Sequence, residues 1–111
     1  MAAQFEIKKS RNGRHFFNLL ATNGEIVLTS QMYASIAGAR KGIASVQSNA
    51  AAVDRYQRRQ GKSGKSHFVL RAGNHRVVGT SQTYSSKAKM EKGIRAVMKN
   101  GKVKKIVVAC N

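Results

Sequence analysis

Cationic side chains are the groups in this chain with the clearest capacity for chemistry, and they are concentrated in its second half. The 111 residues hold 21 Lys and Arg against four Asp and Glu, a net charge of +17. Residues 1–51 carry six basic and two acidic side chains, whereas residues 52–111 carry fifteen and two. Solubility alone usually needs a much smaller surplus on a small domain. The composition therefore predicts binding to nucleic acid or to another polyanion.

Six cations around one predicted hairpin of the second half are the candidates for phosphate contact. They are Arg55, Arg58, Arg59, Lys65, Arg71 and Arg76. If each neutralised one phosphate, log affinity would fall with log salt at a slope of about −5 on duplex DNA. Aromatic residues are few, and Phe16, Tyr56 and Tyr84 are the candidates for stacking on a base. Contact with the phosphate backbone rather than readout of sequence is therefore expected.

Groups suited to acid–base or metal chemistry are sparse. The three histidines have no Cys or acidic residue at metal-ligand spacing. The four carboxylates are scattered over predicted strand, hairpin and helix, so no pair is placed for proton transfer. Glu91 is interpreted as an ion-pair partner of Lys87 and Arg95, each four residues away on a helix. The sequence predicts a protein that is not an enzyme and has no metal or cofactor.

The Gly-Lys-Ser residues within 61–66 are similar to a P-loop but fail its spacing. A P-loop needs a glycine five positions before its Gly-Lys pair, and that position is Arg59. A P-loop also leads from a strand into a helix, whereas this segment joins two predicted strands. A nucleoside triphosphate site is excluded on these grounds, and a basic turn remains.

An internal repeat defines the elements that must position these groups. Residues 13–49 align without a gap on residues 64–100, at a constant offset of 51. Each copy shows alternating apolar residues in three short runs and then a helical apolar stripe. The pattern predicts an α+β fold of two tandem β-β-β-α repeats, an antiparallel sheet packed with two helices about a pseudo-two-fold axis. Because about 50 residues bury too little surface alone, the repeats are expected to share one core.

The expected boundaries are residues 1–51 for the first repeat, 52–101 for the second and 102–111 for a basic and apolar tail. The apolar run 106–109 indicates a further strand at a sheet edge, and the alternative is an exposed segment prone to association. A sheet edge or this tail could also recruit a partner or a second copy as a homodimer. A protein-interaction or structural module is therefore the alternative function.

The first hairpin sets the register of the sheet. A two-residue loop at 23–24 pairs Ala21 with Ile26 and Leu19 with Leu28. This register predicts that Ile26 is buried on the same face as Leu19.

The densest polar segment shared by the copies is Ser-Gln-x-Tyr-x-Ser, at residues 30–35 and 81–86. Ser35 and Ser86 are predicted N-caps, because a serine hydroxyl accepts a bond from a first-turn N–H. The same helix N-termini present free N–H groups and positive partial charge, so an anion site at these corners is a second interpretation. Gly42 and Gly93, inside the predicted helices, are interpreted as points where the helix backbone comes close to the sheet.

These residues resemble the YegP-like family, small bacterial proteins built from a duplicated domain of unknown function. The resemblance rests on Asn-Gly-Glu at 23–25, on residues 28–33 and 79–84, and on the helical phrases at 41–46 and 92–97. It covers residues 4 to about 100, nearly the whole chain. It implies a two-repeat α+β fold in which each copy is a three-stranded antiparallel unit plus a helix. The resemblance carries over no activity and no catalytic residue.

The expected location is the cytoplasm. The chain has no apolar run long enough to span a membrane and no apolar export signal at its start. Its single cysteine, Cys110, suits a reducing compartment.

Overall fold

Seven strands form one sheet in the computed structural model, which describes residues 2–61 and 64–109. The strands are β1 (Gln4–Lys9), β2 (His15–Leu20), β3 (Ile26–Thr29), β4 (Tyr56–Gln60), β5 (Ser66–Arg71), β6 (Val77–Thr80) and β7 (Ile106–Val108). The helices are α1 (Ile36–Asn49) and α2 (Lys87–Asn100), and a short 3₁₀ helix spans Val53–Arg55. Across the sheet the order is β4-β5-β6-β3-β2-β1-β7.

The two repeats meet where β3 pairs antiparallel with β6 through Thr29 and Thr80. These threonines are related by the offset of 51 that relates the copies, so the pseudo-two-fold axis passes between them, perpendicular to the sheet. Neighbouring strands are antiparallel except for β1 and β7, which are parallel. The predicted fold of two β-β-β-α repeats is confirmed.

Both helices cover the same face of the sheet, because alternate strand residues on that face are apolar in both repeats. A single hydrophobic cluster includes Phe5, Phe17, Leu19, Leu28, Phe68 and Leu70 from the strands and Ile43, Val46, Met90, Ile94 and Val97 from the helices. Each helix also contacts strands of the other repeat: α1 packs on β5 and β6, and α2 packs on β2 and β3. Neither repeat completes its core without the other.

The loop of the first hairpin is longer than predicted. The N–H of Ala21 donates to the carbonyl of Glu25 at 2.9 Å, and the N–H of Gly24 donates back to the carbonyl of Ala21 at 2.9 Å. Gly24 takes a φ of +83°, which is the left-handed position of a three-residue hairpin loop.

This loop changes the register of β3. Leu19 pairs with Leu28 as predicted, but a bulge follows and Ile26 pairs with Leu20 rather than with Ala21. The prediction that Ile26 is buried is wrong: its side chain is 43% exposed, and Val27 packs in the core instead. The extra loop residue moves Ile26 to the other face.

Close contact between helix and sheet explains the glycines inside the helices. A β-carbon on Gly42 would lie 2.6 Å from Cζ of Tyr33 and 2.9 Å from Cε2 of Phe17. Gly93 has the same relation to Tyr84, whose Cζ would lie 2.7 Å away. The interpretation of these glycines as points of close approach is confirmed.

The tail forms β7 beside β1. The N–H of Phe5 donates to the carbonyl of Lys105 at 2.9 Å, and the N–H of Ala109 donates to the carbonyl of Ile7 at 2.8 Å. Nε2 of Gln47 on α1 donates to the carbonyl of Val103, in the segment that leads into β7, at 2.8 Å. One edge of the sheet is therefore covered, and β4 forms the other edge.

Candidate functional site

The sheet face that the helices leave uncovered is defined by strand register. One row of paired residues crosses it, consisting of Gln57, Val69, Thr80, Thr29, Asn18, Glu6 and Val107. Residues two positions away along each strand point to the same side. We call this surface the open face. Its further members are Gln4, Lys8, Phe16 and Leu20 in the first repeat and Arg55, Arg59, His67 and Arg71 in the second.

Four of the six predicted cations lie on this side: Arg59 and Arg71 are in β4 and β5, and Arg55 and Lys65 immediately precede these strands. Arg59 pairs across the strands with His67, and Lys65 precedes β5 in phase with His67. Nη2 of Arg55 lies 3.6 Å from the position of a β-carbon on Gly73, beside the end of β5. Nε of Arg71 donates to the carbonyl of His75 at 3.0 Å. Arg55 is the last residue of the 3₁₀ helix, so it lies next to the start of β4, four residues before Arg59.

Arg58 is separated from these cations. It pairs across the strands with Phe68, so its side chain lies on the helix side of β4. There Nη2 donates to Oε1 of Glu91 at 2.9 Å, and Nε donates to the other carboxylate oxygen. Hydrogen bonding to Glu91 raises the pKa of Arg58, and the same bonds lower the pKa of Glu91.

The predicted pairing of Glu91 within its own helix is therefore wrong. Its hydrogen-bonded partner is Arg58 from β4, which presents two donors to the carboxylate. Arg95 adds only a weaker electrostatic lowering of the pKa of Glu91. The bond joins the edge strand to α2.

Arg76 lies in the exposed loop that joins β5 and β6. Its backbone N–H donates to Oδ1 of Asn74 at 3.1 Å. It extends the charge at the hairpin end and does not lie in the middle of the open face.

On the open face, the second repeat is more positively charged than the first. At the offset of 51, the paired positions are Gln4 and Arg55, Glu6 and Gln57, Lys8 and Arg59, Phe16 and His67, and Leu20 and Arg71. In the first repeat Lys8 and Glu6 form an ion pair at 3.2 Å. In the second repeat Gln57 replaces the carboxylate, so the open face gains three arginines and loses its acid. The helix-facing pairs Phe17/Phe68 and Leu19/Leu70 are unchanged.

One of the three aromatic candidates for base stacking, Tyr56, lies in the core, and Tyr84 packs against the core while half-buried. Tyr56 is 6% exposed, and its hydroxyl donates to the carbonyl of Ala50 at 2.6 Å. Burial raises the pKa of this phenol. The ring of Tyr84 is stacked on Phe68, with centroids 6.4 Å apart. The prediction that Tyr56 could stack on a base is wrong, whereas Tyr84 and Phe16 are both half-buried and stay candidates.

Ser35 and Ser86 act as helix N-caps. The hydroxyl of Ser35 accepts from the N–H of Gly38 at 3.1 Å, and that of Ser86 accepts from the N–H of Lys89 at 3.2 Å. Both bonds satisfy donors of the first helical turn.

One cleft was not foreseen from the sequence. It has a volume of about 320 Å³ and is lined by Arg58, Arg59, Gln60, Ser66, Lys87, Met90 and Glu91. It forms where the end of β4 meets the first turn of α2, so it depends on tertiary packing between residues far apart in the chain.

Within residues 2–61 and 64–109, no group of three His, Cys, Asp or Glu is arranged to hold a metal. Cys110 lies outside the described residues.

The structure places the chain in a class of small α+β proteins with a duplicated β-β-β-α unit. Sequence comparison identifies the family within this class. The family model described as a domain of unknown function, DUF1508, matches residues 10–57 and again residues 62–107. The chain belongs to this family and contains two copies of its domain. The predicted YegP-like membership is confirmed, and the family description names no activity.

Similar proteins come from several bacteria. The UPF0339 protein YegP of Yersinia pestis is 52% identical over 97 residues, which cover 87% of this chain and 87% of that protein. A UPF0339 protein of Shewanella oneidensis is 46% identical over 102 residues, covering 92% and 93%.

Solved structures of the family have the same fold. The solution NMR structure of a UPF0339 protein from Shewanella oneidensis matches with a TM-score of 0.93 at 44% identity, covering 99% of this chain and 93% of that one. The NMR structure of the Escherichia coli protein of unknown function yegP matches at 0.94 and 40% identity, covering 100% and 96%. In the described part of the chain, neither helix is long and apolar enough to cross a membrane.

Proposed function

We propose that the protein is a non-enzymatic module that binds nucleic acid, or another polyanion, through phosphate contacts on the open face of the second repeat. The observation that carries this proposal is that the open face of the second repeat has more cations and fewer carboxylates than that of the first. Arg55 and Arg71 stand where the first repeat has Gln4 and Leu20, while the core residues are kept. Since folding needs only the shared core, the added cations point to a separate role. We further propose a cytoplasmic location, on the basis of the single cysteine.

The geometry suits backbone contact. Arginine presents a planar set of donors that matches a phosphate. Arg59 lies in β4, Lys65 lies immediately before the adjacent strand β5, and Arg55 lies immediately before β4. Phe16 is on β2, three strands from β5, or about 14 Å away. A base stacked there would be remote from the arginines, so little dependence on base sequence is expected.

Salt dependence tests the proposal directly. Binding of a fluorescein-labelled oligothymidine is followed by anisotropy at a series of salt concentrations. With Arg55, Arg59, Lys65 and Arg71 engaged, log affinity falls with log salt at a slope of about −3 on a single strand. The triple substitution Arg55→Gln, Arg59→Gln, Arg71→Gln should weaken binding and reduce the slope to about −1.

A matched triple variant removes the same charge from the helix side. Arg40→Gln, Arg95→Gln, Lys99→Gln alters three exposed helical cations and should leave the slope unchanged. Equal losses in the two variants would contradict a site on the open face. An absence of binding to DNA and RNA even at low ionic strength would remove the proposal.

The alternative proposal is a protein-interaction or structural module that uses a sheet edge or the C-terminal strand, including a homodimer. One observation favours an edge: in the described residues β4 pairs only with β5. Size-exclusion chromatography with light scattering, on the full chain and on a chain that ends at Gly101, tests self-association. Identical monomers would count against a homodimer.

A further inference from the structure

The two edges of the sheet differ, although the strands that form them are equivalent. β1 is covered by β7, whereas β4, its counterpart at the offset of 51, has no strand on its outer side within the described residues. The carbonyl of Ile7 on β1 accepts from Ala109 on β7, at 2.8 Å. Arg58 occupies the equivalent position on β4. The fold thus has a strand position that is filled in one repeat and open in the other.

The hydrogen bonds of β5 indicate which groups of β4 are directed outward. The N–H of Ser66 donates to Tyr84, and the carbonyl of Phe68 accepts from Ser81, so these backbone groups of β5 face β6. In an antiparallel ladder the alternate residues of β5 then face β4 and bond to Gln57 and Arg59. The N–H and carbonyl of Arg58 therefore point away from the sheet, as those of Ile7 do toward β7.

The side chains at this edge select the chemistry of an added strand. In the first repeat Ile7 pairs with Val108 of β7 and Ile36 begins α1, and their equivalents in the second repeat are Arg58 and Lys87. Arg58 and Lys87 line the cleft of about 320 Å³, with buried Met90 in its lining. Arg58 is already hydrogen-bonded to Glu91 in this cleft, so Lys87 and Arg59 supply the net positive charge of the edge. By contrast, Ile7 and Ile36 in the first repeat are apolar.

Charge also decides between candidate occupants. A second copy paired through its own β4 would place Arg58 and Arg59 next to arginines of the other chain, and like charges on paired strands are destabilising. An apolar strand such as β7 would have to desolvate these cations. An acidic strand would meet the arginines of the open face on one side and Lys87 on the other.

We propose that β4 is an acceptor for an extended acidic segment of a partner protein, which adds to the sheet as an eighth strand. Main-chain bonds to Arg58 would supply the pairing, and charge would select the segment. β7 on β1 is the precedent for this mode within the same molecule. The proposal is independent of phosphate binding, since it requires the backbone edge of β4 and not only its cations.

The test uses a blocked, fluorescein-labelled peptide of alternating Glu and Thr. A matched peptide has the same sequence but is N-methylated at alternate residues, so it keeps its charge and cannot donate bonds on one side. The unmodified peptide should bind, and each lost main-chain bond should weaken binding about three- to tenfold. Equal affinity of the two peptides, or no binding by either, would overturn strand pairing.

A pair of protein variants gives an independent readout. Arg58→Pro removes the outward N–H but leaves the bonds to β5, as edge positions allow. Arg58→Ala removes the same ion pair with Glu91 and keeps the N–H. Proline should weaken the peptide several-fold more than alanine does, while oligothymidine binding should be the same for both variants. Equal peptide affinities for the two variants would contradict the proposal.

Hydrogen exchange in the unsubstituted protein keeps the test decisive if the proline variant does not fold. Peptide should slow exchange of the Arg58 amide and leave that of Val69, within the sheet, unchanged. Protection of this amide by oligothymidine but not by peptide would overturn the assignment of an acidic peptide. Phosphate binding on the open face would stand or fall separately, on its salt slope.

Discussion

His75 is held in a backbone conformation that favours glycine. Among the described residues it alone combines a side chain with a positive φ, at 68°. It occupies the position of Gly24 in the first hairpin, and its N–H donates to the carbonyl of Ala72 at 2.9 Å. A left-handed conformation costs an L-residue roughly 1 kcal/mol. His75→Gly should therefore raise the free energy of unfolding by about 0.5–1 kcal/mol, measured by urea denaturation.

The reciprocal substitution provides the control. Gly24→His places a side chain in the equivalent loop and should destabilise the protein by a similar amount. If His75→Gly lowers stability instead, the imidazole makes contacts that outweigh the backbone strain.

Gly42 should resist substitution despite the preference of helices for alanine. In an open helix Gly→Ala gains about 1 kcal/mol, but here the new methyl group would contact the ring of Tyr33. Overpacking of this kind costs about 1–3 kcal/mol, so Gly42→Ala should lower the free energy of unfolding. Gly38→Ala in the same helix is the matched control, because its β-carbon would meet Tyr33 at 3.4 Å, an ordinary contact.

A double-mutant cycle isolates the cause. The hydroxyl of Tyr33 is the atom nearest to the added methyl group, so Tyr33→Phe should recover part of the loss in Gly42→Ala. Additive effects of the two substitutions would show that the clash lies elsewhere.

The buried phenol of Tyr56 should make the free energy of unfolding decrease at alkaline pH. Burial raises the pKa of its phenol, so the group stays protonated in the folded chain where it ionises in the unfolded chain. Its contribution is complete below the unfolded pKa of about 10 and is lost as pH rises through the folded pKa. Tyr56→Phe should cost about 0.5–1.5 kcal/mol at neutral pH through the lost bond to Ala50, and should flatten the alkaline decrease.

Circular dichroism during urea unfolding, at neutral pH and above pH 10, measures both effects. Tyr33 contributes in the same direction, because burial also raises its pKa. An equally steep alkaline decrease in Tyr56→Phe would assign the effect to other groups.

At the scale of elements, β7 protects the edge of β1 through alternate backbone groups. The carbonyl of Lys105 and the N–H of Ala109 bond to β1, so the N–H of Val107 faces β1 and that of Val108 faces away. Val107→Pro should lower the free energy of unfolding by about 1–3 kcal/mol, because it removes a ladder bond and leaves its acceptor unpaired. Val108→Pro should have a smaller effect, since its N–H faces outward.

Thermal unfolding compares these proline variants, and light scattering reports any association through the uncovered edge. Equal destabilisation would mean that β7 is held by its side chains rather than by the ladder.

The elements were predictable from the repeat, whereas several contacts between them were not. Two copies with the same alternation and the same helical stripe constrain the strand order within each unit. An Asn-Gly pair is compatible with both a two-residue and a three-residue hairpin loop. The choice between these two loops decides on which face of the sheet the side chain of Ile26 lies. The partner of Glu91 was missed for a different reason: helical spacing reveals only neighbours four residues away, while Arg58 approaches from another strand.

At the scale of the whole molecule, the candidate site was partly readable in advance. Period-two alternation alone separates Arg55 and Arg59 from Arg58, and the offset of 51 reveals the loss of Glu6 at Gln57. Sequence could not reveal that both helices cover the same face, because that depends on the pairing of β3 with β6. The position of the cleft beside α2 depends on the same tertiary arrangement.

The net charge of +17 should make folding stability increase with salt. Screening lengths are about 30 Å at 0.01 M and about 10 Å at 0.1 M ionic strength. The longest extent of the molecule is 37 Å, so at the lower salt nearly all cations repel one another, while at the higher salt only neighbours do. The melting temperature should rise over this interval. The open-face variant Arg55→Gln, Arg59→Gln, Arg71→Gln should show a smaller rise, because it removes three cations from a face on which Gln57 has replaced the carboxylate of the first repeat.

The helix-side variant Arg40→Gln, Arg95→Gln, Lys99→Gln again has the same net charge and serves as the control. The carboxylate of Glu91 attracts Arg95 and offsets part of the repulsion among the helix-side cations, so removing these cations should change the salt dependence less. Melting curves of both variants at the two ionic strengths measure the difference. If both variants lose the salt dependence equally, the cations are distributed evenly around the molecule. The second repeat then has no concentrated positive face with which to attract a polyanion.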